Sequence, residues 1–189
     1  AKGGGNQRYE NRVQELRNAI AAAHILGADK IRIFTFARVA DPEPLMPRLA
    51  EIVGELARIA EKEKVTLLVE NEGSQNISTC AEMAHLVKLV NSRALGINWD
   101  PLNGSRREKP FPEGYEILPR KKILNVQVKG RAILPGPDLL DWSAIFARLA
   151  RDGYKGCVGL ETHMGRGDEL FQRSHEAMRE MRRLAGAVS

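Results

Sequence analysis

The chain has 189 residues, 43% hydrophobic and 28% charged, which suits one domain with a sizeable core. No apolar run approaches the roughly 20 residues of a membrane helix, and no secretory leader opens the chain. Two cysteines make neither a disulfide framework nor a zinc cluster, so the expected setting is a reducing cytoplasm, with no membrane partner. The net charge of +5 is spread among acids along helices, so nucleic acid is not an expected partner.

After a small polar stub, AKGGG, which reads as a linker or a cut end, residues 7–26 form a helix on the spacing of Val13, Leu16, Ile20, Ala23 and Leu26. Gly27 closes it. KIRIFTF, residues 30–36, alternates and reads as a strand. Residues 44–63 are a long helix with Leu45, Leu49, Ile52, Val53, Leu56 and Ile59 on one face and Pro47 in the first turn. Residues 65–70 are apolar on both faces, as in a parallel sheet buried on both sides. Thr79 and Glu82 match a capping box for a helix from about Cys80 to Val90.

Residues 94–99 are a strand, and a long loop with helical turns in PEGYEILP leads to a strand over 122–128. Asp141 is a suitable N-cap for a helix over 142–152. Residues 156–161 are the last strand, and a final helix runs from Asp168 to Leu184.

The strand tips fall near Phe36, Glu70, Asp100, Gln127 and Glu161, with steps of 27 to 34 residues, about one βα unit each. This regularity predicts a parallel α/β architecture, a (β/α)8 TIM barrel before an open doubly wound sheet. The latter calls for a Gly-rich phosphate turn after an early strand, and the turn after Phe36 is ARVADPEP. A full barrel takes about 250 residues. Residues 1–189 are therefore expected to form a single partial-barrel domain, its N-terminal βα units lying before residue 1 or supplied by a second chain. The unpaired edges make a homo-oligomer a candidate state.

Four polar groups stand at consecutive strand ends: Glu70, Asp100, Gln127 and Glu161. Carboxylates converging on one barrel mouth repel unless a cation or a shared proton holds them. With no thiolate and no certain imidazole, the set suits Mg²⁺ or Mn²⁺ better than Zn²⁺. The plain alternative is that each acid caps a helix or pairs in a loop. For Arg106, Arg107 and Lys109, which could hold a substrate phosphate, the plain alternative is a solvated loop. His24 and His85 read as packing or surface residues, and Trp99 as a barrel or pocket wall.

LLVENEGSQNISTCAEMAHLVKLVNSRALGINWDPLN, supported by HILGADKIRIF, FPEGYEILPRKKILNVQVKG and GYKGCVGLETH, resembles the sugar phosphate isomerase/epimerase family, the xylose isomerase-like TIM barrels. The resemblance implies that the chain carries strands four to eight of that barrel. It also implies that Glu70, Asp100 and Glu161 bind a divalent metal, Mn²⁺ or Mg²⁺, with Co²⁺ and Zn²⁺ as further candidates.

The family's strand-seven pattern, usually HVHVKD, is NVQVKG here, so Asn125 and Gln127 replace two histidines and Gly130 an acid. Gln127 offers a carbonyl oxygen as the fourth ligand, a weaker one than imidazole for transition metals. The implied activity is isomerisation or epimerisation of a small sugar, or sugar phosphate, through an ene-diolate, with Glu70 and Glu161 as the acid/base pair. Glu72, Asn103, Lys129 and His163 are candidates for binding the sugar, and Asn71 and Glu72 for orienting the ligands. Two other functions are compatible with the barrel: a non-catalytic relative with a decayed metal site, supported by Asn125, Gln127 and Gly130, and a metal-dependent apurinic endonuclease. The endonuclease needs a histidine-rich site, and the chain has four histidines in all.

Overall fold

Apolar runs and amphipathic helices alternate in the computed structural model, which describes residues 4–188; the first three residues of the AKGGG stub lie outside them. The order is α1 (Gly4–Leu26), β1 (Lys30–Ile33), α2 (Met46–Lys62), β2 (Thr66–Glu70), α3 (Cys80–Val90) and β3 (Leu95–Trp99). The short turns α4 (Pro101–Gly104) and α5 (Tyr115–Ile117) lead to β4 (Ile123–Lys129) and the single turn α6 (Gly130–Ile133). α7 (Trp142–Arg151), β5 (Cys157–Glu161) and α8 (Asp168–Gly186) complete the fold.

All five strands are parallel, and each pairs with the next in the order β1-β2-β3-β4-β5. Every crossover therefore advances one strand in the same direction, and right-handed connections place all the helices on one face. A doubly wound sheet reverses its strand order partway; this sheet does not, and it curls into a half-barrel. Among the described residues, no helix is long and apolar enough to cross a membrane.

The two faces of the sheet differ in chemistry because side chains alternate along each strand. Outward positions carry Leu67, Val69, Leu95, Ile97, Trp99, Val126 and Val128, all buried under Leu49, Val53, Met83, Leu86, Ile145 and their neighbours on the helices. Each such aliphatic side chain contributes about 1.5–3 kcal/mol by leaving water. Inward positions at the carboxyl ends carry Glu70, Asn98, Asp100, Asn125, Gln127, Lys129 and Glu161. Trp99 accordingly lines the barrel wall from outside, its ring 5.2 Å from that of Tyr115, and does not line the mouth.

Local signals hold the helices in place. The Glu82 backbone N–H donates to Thr79 Oγ1 at 3.2 Å and the Thr79 N–H donates to Glu82 Oε2 at 2.9 Å, completing the capping box of α3. Asp141 caps α7, accepting from the Ala144 N–H at 2.9 Å. β1 ends at Ile33, three residues short of the expected strand. Its register pairs Ile33 with Val69, and β2 ends one residue later, so β2 offers no partner to Thr35 and Phe36. The chain turns across the mouth instead, and Ala37 forms an antiparallel bridge to Gln75 in the loop after β2. Arg38 fastens the two loops, donating to Ser78 Oγ at 2.7 Å and to both carboxylate oxygens of Glu82.

Candidate active site

β3 ends where Pro101 cannot donate to a ladder, and Asp100 becomes the N-cap of α4. Its Oδ1 accepts from the N–H groups of Leu102 at 2.9 Å and Asn103 at 3.0 Å. Helix capping thus engages one oxygen, and Oδ2 is left facing the mouth. Asn71, fully buried just past β2, clips the tip of β3 from the other side. Its Nδ2 donates to the Asp100 carbonyl at 2.7 Å, and its Oδ1 accepts from the Asp100 N–H at 2.9 Å.

Glu70 is 1% exposed. Its Oε2 accepts from Asn98 Nδ2 and from the Arg32 guanidinium at 3.3 Å, and its Oε1 accepts from Asn103 Nδ2 at 3.3 Å. Glu161, at the tip of β5, accepts from Lys129 Nζ at 2.6 Å and Gln127 Nε2 at 3.3 Å, and its other oxygen lies 2.5 Å from His163 Nε2. Asn125 Nδ2 donates to Asn98 Oδ1 at 2.6 Å and faces Gln127 Oε1 at 3.5 Å. A continuous amide ladder, Asn98–Asn125–Gln127, therefore joins Glu70 to Glu161 with an N–H aimed at each carboxylate.

Glu70, Asp100 and Glu161 each offer one carboxylate oxygen, and these oxygens all lie within 4.8 Å of one another, a grouping that could hold a metal ion. Their protonation differs. Burial, aided by the charges of Asp100 and Glu161 and opposed by Arg32, pushes the Glu70 carboxyl up to about 7. Burial also raises Asp100, with Lys129 pulling the other way. For Glu161 burial is outweighed by the hydrogen bonds from Lys129 and His163, and its carboxyl falls to about 2. Lys129 is 7% exposed; burial works against its charge, but Asp100 and Glu161 prevail and raise it.

The residues expected from sequence are mostly brought together here: Glu70, Asp100, Asn103, Gln127, Lys129, Glu161 and His163 share one mouth. His163 stands on the rim, exposed, with its backbone at φ +47°. Glu72 turns instead to its own loop, where its Oε1 accepts from the Ser74 N–H at 3.3 Å. Gln127 presents its amide nitrogen to Glu161 and its oxygen toward Asn125. Arg107 and Lys109 are engaged on the surface, by the Gly73 carbonyl at 3.2 Å and by Glu113 at 3.6 Å. Gly130 has a steric reason, for a Cβ there would strike the Met164 side chain and lie 3.1 Å from the Thr162 carbonyl oxygen. Sequence reasoning missed Arg32 and Asn98. Asn98 shares its strand face with Asp100, so period-two counting back from that acid would have found it; Arg32 pairs with Leu68, which shares the face of Glu70.

Consecutive parallel strands that curl into a half-barrel, with acids gathered at their carboxyl tips, are the arrangement on which β/α barrels build their sites. The chain belongs to the xylose isomerase-like TIM barrel family, whose model matches residues 3–184. Among solved structures it is similar to L-ribulose 3-epimerase, with 19% identity and a TM-score of 0.79 over 93% of this chain and 67% of that one. It is similar to 3-keto-D-glucoside 4-epimerase from E. coli, with 17% identity and a TM-score of 0.78 over 94% and 73%. A magnesium complex of a xylose isomerase-like TIM barrel protein from Mycobacterium smegmatis, 19% identical, gives a TM-score of 0.74 over 97% and 70%. No curated protein matches the chain by sequence.

Proposed function

We propose that the chain is the active-site part, strands four to eight, of a divalent-metal-dependent sugar epimerase or isomerase. The carrying observation is the set of three acids on three adjacent strands with oxygens within 4.8 Å. The similar structures named as sugar epimerases support the substrate class.

The donor set fits a hard divalent ion. Its oxygens are carboxylates, and buried Asp100 Oδ2, with the Lys129 ammonium 3.2 Å away, has no aligned hydrogen-bond donor. Glu70, Asp100 and Glu161 would hold Mn²⁺ or Mg²⁺; Gln127, whose oxygen faces Asn125, would add a fourth oxygen only after its amide turns over. When bound, such an ion supplies Lewis-acid stabilisation for the oxygens of an ene-diolate.

The residues of the chain move the proton. Glu70, whose carboxyl burial raises and which an ion would pull back down, would be the group that takes and gives the proton. Glu161, held ionised by Lys129 and His163, is a weak base as it stands, and would act as the partner once those donors turn to the substrate. Proton loss from the carbon beside the sugar carbonyl and its return to the opposite face inverts that centre; return to the neighbouring carbon isomerises the sugar. Asn103, Lys129 and His163 stand at the same mouth and supply donors for sugar hydroxyls.

The test is exchange in D₂O. A panel of free ketoses incubated with the chain and Mn²⁺ should gain deuterium at the carbon next to the carbonyl, followed by proton NMR, and Glu70→Gln should abolish the gain. Absence of exchange on every ketose, with Mn²⁺ demonstrably bound, refutes the enzyme. The amide ladder in place of two imidazoles favours a second reading, a sugar-binding relative that does no chemistry. Calorimetric binding of a ketose without deuterium uptake would establish it.

A further inference from the structure

We propose that the Lys129 ammonium and a divalent ion are alternative occupants of the space between Asp100 and Glu161, so that loading the mouth requires Lys129 to leave. This rests on the reading that Glu70, Asp100 and Glu161 hold an ion.

Lys129 Nζ lies 2.6 Å from Glu161 Oε2 and 3.2 Å from Asp100 Oδ2. The lysine is 7% exposed, so this is an internal ion pair and not a surface contact. At Asp100 the contact is an ion pair without the alignment of a hydrogen bond, and Oδ2 has no other donor. The ammonium therefore balances charge at Asp100 without completing its coordination, and a directional ligand bond there would improve on it.

An ion bonded to carboxylate oxygens at about 2.1 Å sits among them. An ammonium still touching two of those oxygens would stand roughly 4 Å from it. At that distance a +2 and a +1 charge repel enough to weaken binding roughly thirtyfold, even at the dielectric constant of water. An ion among these acids therefore drives the ammonium off them.

The location in the fold gives Lys129 a way out. It is the last residue of β4, its backbone leads directly into the single turn α6, and its long stem can carry the charge toward the rim. There it would meet substrate hydroxyls, so the residue that yields the acids to the ion becomes a donor for the sugar.

Mn²⁺ titration of the full chain, read by the electron paramagnetic resonance of free Mn²⁺, tests this on wild type, Lys129→Met and Lys129→Arg. Lys129→Met should bind Mn²⁺ at least about tenfold more tightly than wild type, and Lys129→Arg, which keeps the charge, should not. Equal or weaker binding by Lys129→Met beside a wild type that does bind overturns the exclusion while the ion site stands. No binding by any of the three overturns both.

A measurement on wild type alone guards against a variant that does not fold. Acylation of Lys129 by a small amine reagent, quantified by peptide mass spectrometry, should rise severalfold on adding Mn²⁺. Unchanged labelling, or protection, at Mn²⁺ concentrations that load the protein refutes the displacement.

Discussion

Replacing Asn71 by alanine tests whether the mouth is assembled by the clip between the tips of β2 and β3. The Asn71 side chain satisfies both backbone groups of Asp100, at 2.7 and 2.9 Å, and all of these groups are buried. Alanine leaves a buried N–H and a buried C=O without partners, each at a cost of about 1–3 kcal/mol. The truncated side chain makes room for a water that recovers part of this, so the lower half of the range applies and the total is about 3 kcal/mol. For a domain of this size each kcal/mol moves the melting temperature by about 2–4 °C, giving a fall of about 6–12 °C. Thermal unfolding by circular dichroism measures it. Urea unfolding should show a lower midpoint with an unchanged slope, as a loss of native stability requires. Metal affinity should fall along with stability, because Asp100 loses its anchor. A melting temperature lowered by less than about 2 °C would show that the clip is not what sets the position of Asp100, and the reasoning would fail.

Three further outcomes follow from the same contacts. Glu70→Gln keeps the shape of the carboxylate and its contact with Arg32 but cannot carry a proton; the protein should stay folded while deuterium exchange into a ketose drops by at least about a hundredfold. Glu82→Gln should lower stability in a pH-dependent way. Although burial works against its charge, Arg38 and the N–H groups of Ser78 and Thr79 hold the folded Glu82 carboxyl below its ordinary value. Its contribution is therefore complete above about pH 4.3 and is lost as pH falls through the lower folded value, so wild-type and variant urea midpoints should converge in acid. Gln127→His restores an imidazole beside Glu161 and should tighten Mn²⁺ binding about tenfold by isothermal titration calorimetry; no gain would favour the binding-only relative.

The parts of the fold that were legible are those written locally. Thr79 with Glu82, and Asp141 before its helix, announce helix starts within four residues. The acids at 70, 100 and 161 stand out because each ends an apolar run at the βα period. What was not legible depends on neighbours distant in sequence. Nothing around Asn71 says that it will clip Asp100, 29 positions later. Nothing in KIRIFTF says that the strand will stop at Ile33, because that limit is set by where β2 ends. Lys129 reads as one more polar residue leaving a strand, and only the curl of the sheet brings its ammonium between acids from two other strands. Trp99, next to an acid of the mouth in sequence, lies on the opposite side of the wall because one step along a strand exchanges the faces.

The run Asn98–Asn125–Gln127 has a consequence for acidity. Primary amides neither gain nor lose a proton across the physiological range. A wall built of them keeps the same charge at pH 5 as at pH 8, whereas imidazoles in those places would become cations toward the acid side. Along this stretch of the barrel, the response to pH is left to the carboxylates the amides bridge, and the wall itself behaves as a fixed dipolar surface.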